Sequence, residues 1–182
     1  MEGSYDLVAL FGAAGAGKDT ILDETVKNFP FHKLISYTTR PPRENEENGV
    51  HYYFCSDEQF SHLTLLESTK FNNWNYGTAK SSLKQDQVNI GVFNIEGINN
   101  LIKQEDINVY PVYVYCDDKT RLLRQLSREQ NPDCTEICRR FITDKRDFEK
   151  IDFDYSYLDN TKPVESTVEN LGQIFYDLGI IG

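Results

Sequence analysis

The stretch FGAAGAGKDTIL, Phe11 to Leu22, places Gly12, Gly15, Gly17 and then Lys18 between an apolar run and a helical pattern. The preceding YDLVALF, Tyr5 to Phe11, reads as a buried strand, so the glycines fall on a strand-to-helix turn. Successive backbone N–H groups in such a turn close around an anion, and the helix N-terminus adds the positive end of its dipole. Together with the Lys18 ammonium, this makes Gly12, Ala13, Ala14, Gly15, Ala16, Gly17, Lys18, Asp19 and Thr20 a phosphate-cradling loop rather than a plain turn. One residue is out of keeping: Asp19 stands where such loops carry a hydroxyl. A carboxylate there repels bound phosphates unless a cation lies between them, so Asp19 and Thr20 are read as magnesium ligands.

Outward from this loop, short β-rich runs alternate with helical stretches, a rhythm that favours a parallel sheet flanked by helices. Further strands are expected at His32 to Tyr37, Val88 to Asn94, Asn108 to Cys116 and Phe153 to Leu158, with Pro111 near a strand start or an edge. Helix starts are marked by Ser56 with Gln59, Asp117, Asp133 with Glu136, and Pro163. Two segments break the rhythm: Thr38 to Phe54 is polar and rich in turn formers, and Phe71 to Ser81 is aromatic and amide-rich. Both read as substrate-facing insertions. The Pro-containing run SREQNPDCTEICRRF separates two Arg-bearing helical stretches and suits a mobile lid.

At 182 residues, one domain with a real core is expected, and no apolar run approaches the ~20 residues of a membrane span. The opening MEGSYDLV lacks a basic segment leading into an apolar one, so the expectation is a cytoplasmic protein with no membrane contact. A net charge of −10 excludes a broad nucleic-acid surface, which needs clustered cations, so any anion site is local. Four cysteines without paired C-x-x-C spacing read as reduced thiols, and Cys134 and Cys138, one helical turn apart, as packing residues.

Arg40 and Arg43 sit on a loop stiffened by two prolines. Two guanidiniums held close together with little freedom to lose suit a dianionic phosphate, bound bidentately. Beside the glycine loop, they imply a second phosphoryl group facing the first.

With these residues the sequence resembles the guanylate kinase family over nearly its whole length. The run Ser36, Thr38, Thr39, Arg40, Arg43, Glu46, Gly49, Tyr52 and Phe54 matches that family's spacing without a gap. The resemblance implies an α/β fold: a P-loop three-layer α/β/α parallel-sheet core with an inserted NMP-binding region and a helical lid. Within a single domain, the core would comprise residues 1–37, 88–123 and 150–182, the insert 38–87, and the lid about 124–149. It further implies magnesium-dependent transfer of the ATP γ-phosphate to GMP or dGMP by a monomer or homodimer. Arg40, Arg43 and Tyr52 would hold the acceptor phosphate, with Tyr76 as a further contact and Glu46 orienting the arginines. Ser36 and Thr78 would face the base, Arg124, Arg128 and Arg140 would be lid arginines with Arg139 beside them, and Asp159 and Asn160 would lie near the donor base. Phosphoryl transfer through a loose transition state needs such positive charge on the migrating oxygens. The i, i+4 spacing of Arg124 and Arg128 puts both on one helical face.

Two positions depart from the family pattern. Where the family carries a guanine-reading glutamate, alignment on the Tyr-Gly-Thr element gives Asn73. An amide pairs with a donor beside an acceptor, as on adenine, cytosine or thymine, rather than with the two adjacent donors of guanine. Where the family has D-x-D, this chain has Val92 and Asn94, and we expect the acidic metal ligand to have moved to Asp19. The alternatives are therefore a nucleotide kinase for a different or modified base, or a protein-interaction module without activity. The retained Lys18 and lid arginines speak against the module.

Overall fold

The computed structural model describes residues 4–182 apart from Asn45 and Glu129. In chain order the elements are β1 (Tyr5–Phe11), α1 (Lys18–Asn28), β2 (His32–Lys33), β3 (Tyr37–Thr38), β4 (Tyr53–Phe54), α2 (Asp57–Ser61), β5 (Leu65–Phe71) and β6 (Trp74–Ala79). They continue with β7 (Asn89–Val92), α3 (Ile95–Ile102), β8 (Ile107–Tyr115), α4 (Asp118–Leu126), α5 (Cys134–Asp147), β9 (Ser156–Asp159) and α6 (Val164–Asp177).

Five strands form a parallel sheet in the order β2-β7-β1-β8-β9. The apolar run of β1 is buried on both faces, as expected for a central strand of a parallel sheet. Val8 and Leu10 pack with Ile21, Leu22, Val168, Leu171 and Phe175 of α1 and α6, while Leu7, Ala9 and Phe11 pack with Ile98 and Leu101 of α3. The result is the three-layer α/β/α core expected from the sequence. Pro111 falls within β8, one residue before β9 begins to pair at Val112, so on that side the strand is still an edge.

The chain between the core strands builds a second sheet, ordered β4-β3-β6-β5. Here the sequence expectation needs correction. The single strand expected at His32 to Tyr37 is divided: Leu34 still donates to Ile90 of the first sheet, whereas Ser36 accepts from Tyr53 in the second. The aromatic, amide-rich stretch is a strand of a β-hairpin, and its turn, Asn72–Asn73, has φ of 47° and 66°. Left-handed backbone at both central residues is what a type I′ two-residue hairpin turn requires, and asparagine tolerates it better than most residues. At the other end of the chain, Phe153 to Tyr155 precede the strand, because β8 offers partners only to Ser156–Asp159.

The expected helix caps form. Ser56 and Gln59 make a reciprocal capping box, and Asp117 and Asp133 accept from the N–H groups of Thr120 and Glu136. Cys134 and Cys138 are exposed on α5 rather than packed, and all four cysteines are free.

Candidate active site

The glycine loop lies at the carboxyl end of β1, where parallel sheets leave a crevice for ligands. Gly12, Gly15 and Gly17 have φ of 153°, 79° and 91°. A Cβ would sit 2.3 Å from Val114 O at Gly12, 2.6 Å from Arg121 O at Gly15 and 2.5 Å from Asn160 Nδ2 at Gly17. The loop is thus clamped between β8, α4 and the segment after β9. Asn160 is buried, and its Nδ2 donates to Ala16 O at 2.7 Å, so this amide is engaged by the loop itself.

The Lys18 ammonium folds back over the loop, donating to Gly12 O at 2.7 Å and Ala13 O at 3.1 Å. Burial of this group lowers its pKa; Asp19 and Asp144 pull the other way, and Arg140 and Arg121 add to the lowering. Asp19 and Thr20 are exposed in the first turn of α1. They offer hard oxygen ligands beside the cradle, and among the described residues no group of three or more His, Cys, Asp or Glu gathers that could hold a metal. That set fits magnesium, which commonly takes one or two carboxylates and completes its shell with phosphate oxygens and water.

Across the cleft, Arg40 forms a two-pronged ion pair with Glu46, at 2.9 Å and 3.0 Å, and Tyr76 joins Glu46 in raising the Arg40 pKa. The Arg40 guanidinium lies 5.6 Å from the Tyr52 ring centroid, and Tyr52 meets Tyr76 edge to face. Glu46 also accepts the Arg43 backbone N–H at 2.8 Å, so one carboxylate organises both arginines. Burial alone would raise the Glu46 pKa, but the hydrogen bonds from Arg40 and Arg43 overcome it and hold this carboxyl below its usual range. Burial raises the Tyr52 pKa, and Asp19 is the next contributor, which places the two phosphate-binding corners within electrostatic reach of each other.

At the far end of this pocket, Ser36 Oγ and Thr78 Oγ1 lie 3.0 Å apart. The acidic residue beside them is Glu67 on β5, which sequence reasoning missed. Glu67 is the cross-strand partner of Thr78. Burial pushes the Glu67 pKa up, the polar groups of Thr78 pull it down, and Glu96 adds to the rise. Gly97 lets β5 and α3 approach closely, since a Cβ there would be 3.2 Å from Glu67 Oε2 and 3.0 Å from Asn94 Oδ1. Asn94 caps α3 by accepting the Gly97 N–H. The structure does not bring Asn73 to this group: Asn73 is exposed in the hairpin turn, beyond Trp74.

The lid arginines are placed unequally. Arg124 reaches over the loop, its Nη1 3.4 Å from Ala16 O and 3.5 Å from Cys116 Sγ. Helix α4 ends at Leu126 and is capped by Ser127, so Arg128 falls beyond the helix and does not share a helical face with Arg124. Arg140 lies on α5, and Arg139 beside it is paired with Glu136. Sequence reasoning also missed Arg121, which is buried, ion-paired with Asp118 at 2.8 Å and set over the Phe141 ring.

A glycine-loop anion cradle facing an arginine–tyrosine pocket across one cleft is the arrangement of a phosphotransferase. A family model described as guanylate kinase matches residues 4–178, and the chain belongs to the guanylate kinase family. Among curated relatives, it is 30% identical to guanylate kinase of Sus scrofa, over 81% of this chain and 79% of that protein. It is 27% identical to guanylate kinase of Malacoplasma penetrans, over 94% and 92%. In fold it is similar to the crystal structure of guanylate kinase from Anaplasma phagocytophilum, with a TM-score of 0.64, 17% identity, and coverage of 97% of this chain and 87% of that one. It is a nucleoside monophosphate kinase. Among the described residues, no helix is long and apolar enough to cross a membrane.

Proposed function

We propose that this enzyme moves the γ-phosphate of ATP to GMP or dGMP, and the observation that carries the choice of base is Glu67. Guanine presents two adjacent donors, N1–H and the N2 amino group, and an ionised carboxylate is the matching pair of acceptors. Glu67 stands opposite Thr78 across the strands, and Ser36, hydrogen-bonded to Thr78, is a further polar group for the base. This reading replaces the one built on Asn73. That the relatives named above are guanylate kinases points the same way.

The remaining roles follow from charge. Loop N–H groups and Lys18 bind the donor's β- and γ-phosphates, while Arg40, Arg43, Tyr52 and Tyr76 bind the acceptor phosphate. Arg124, Arg128 and Arg140 close over the migrating group and neutralise its equatorial oxygens. Asp19 and Thr20 would hold a magnesium ion, which would supply positive charge to the reacting phosphates and offset the charge that Asp19 itself introduces.

A coupled ADP-release assay with magnesium and ATP against all common ribo- and deoxynucleoside monophosphates tests the reading. Turnover of GMP or dGMP well above the rest is expected. Preference for another base would refute the role of Glu67, and silence with every acceptor would refute the reaction.

A further inference from the structure

The β5–β6 hairpin does two things at once. Its body carries Glu67, Tyr76 and Thr78, and its tip reaches the lid. Phe71, the last residue of β5, is 37% exposed and pairs across the turn with Trp74, so the core does not require it. Its ring lies under the arginines of α5: the Arg140 guanidinium carbon is 5.2 Å from the ring centroid and that of Arg139 6.0 Å. Arg139 is already neutralised by Glu136, at 2.7 Å and 2.8 Å. Arg140 forms no ion pair among the described residues, and its charge acts on Lys18 in the glycine loop.

We propose that Phe71 is a positioning residue for phosphoryl transfer: its ring seats the guanidinium of Arg140 over the cleft and thereby couples the acceptor-binding hairpin to the lid. An arginine resting on an aromatic face keeps its N–H donors free at the rim of the guanidinium plane, where phosphate oxygens approach. Acceptor binding on the hairpin body and arginine placement at its tip then depend on one two-stranded unit joined by a tight turn. This rests on the role given to Arg140 above.

Phe71→Ala, Phe71→Tyr, Arg140→Ala and the double variant Phe71→Ala/Arg140→Ala test it, with kcat and both KM values measured at saturating magnesium. Phe71→Ala should lower kcat about 3- to 30-fold, the range of a cation–π contact, with each KM changed less than about 3-fold. Phe71→Tyr should restore kcat, and the double variant should be no slower than Arg140→Ala alone. Losses that multiply in the double variant, or a normal kcat for Phe71→Ala beside a slow Arg140→Ala, would overturn the coupling. A normal kcat for Arg140→Ala would overturn it differently, by removing Arg140 from the reaction. A changed unfolding temperature in Phe71→Ala would mean the residue serves stability instead.

Discussion

The backbone N–H of Ala14 donates to the Asp144 carboxylate at 2.7 Å, joining the glycine loop to the lid helix across 130 residues of sequence. Arg121 stands 3.6 Å from the same carboxylate. Asp144 therefore satisfies, with its own negative charge, a donor of the loop that binds anions.

Nucleotide phosphates and Asp144 should compete for this donor. A hydrogen bond to a charged group contributes about 1.5–3 kcal/mol, so Asp144→Ala should lower the unfolding temperature of the free enzyme by several degrees. ATP should then raise that temperature more in the variant than in the parent, because no carboxylate has to be displaced. Thermal melts with and without ATP measure both, and equal increments would refute the competition.

The raised pKa of Glu67 has consequences for stability and for activity. In the folded state this carboxyl binds its proton more tightly than in the unfolded chain. Its contribution to stability is fully present below the unfolded pKa and is lost as pH rises through the higher folded value. Reading guanine needs the ionised form, so kcat/KM for GMP should rise with pH over that same interval, above the usual carboxylate range. Glu67→Gln should flatten both profiles and reduce kcat/KM for GMP about 10- to 100-fold. Retention of the acid limb in Glu67→Gln would assign it to another group.

Lys18 and Arg40 should separate the two halves of the site. Lys18→Ala should cut kcat about 100-fold or more with the fold intact, since the lost charge is the one proposed to act on the migrating phosphate. Arg40→Ala should chiefly raise the KM of the monophosphate, and it also leaves Glu46 partly buried without its cation. Indistinguishable kinetic defects in the two variants would refute the division.

The carboxylate next to Lys18 should change how the enzyme answers to magnesium. Asp19→Ala should shift the magnesium concentration for half-maximal rate upward or abolish activity. A titration superimposable on that of the parent enzyme would show that Asp19 is not a ligand.

The glycine loop and β1 were legible because their signals are local: a two-sided apolar run, glycines at strained positions and a lysine at the helix start. The Arg40–Glu46 corner was legible for the same reason, all its members lying within one short loop. The β5–β6 hairpin was not. Its strands LLESTKF and WNYGTA are largely polar and partly exposed, and its turn is Asn-Asn rather than the commoner Asn-Gly. Without the hairpin register, Glu67 has no visible link to Thr78, and Asn73 looks closer to the base. Arg121 was hidden for a related reason. Its Asp118 spacing suggests an exposed helical pair, while its burial comes from contacts with Ala14 and Phe141 far along the chain.

The brace from Asn160 to Ala16 spans 144 residues. A ribosome makes the glycine loop well before the side chain that pins it, which is added 144 residues later. The nascent protein therefore carries an unfinished phosphate cradle while that intervening stretch is made. The fully braced cradle becomes available to nucleotide only when β9 has emerged and docked beside β8.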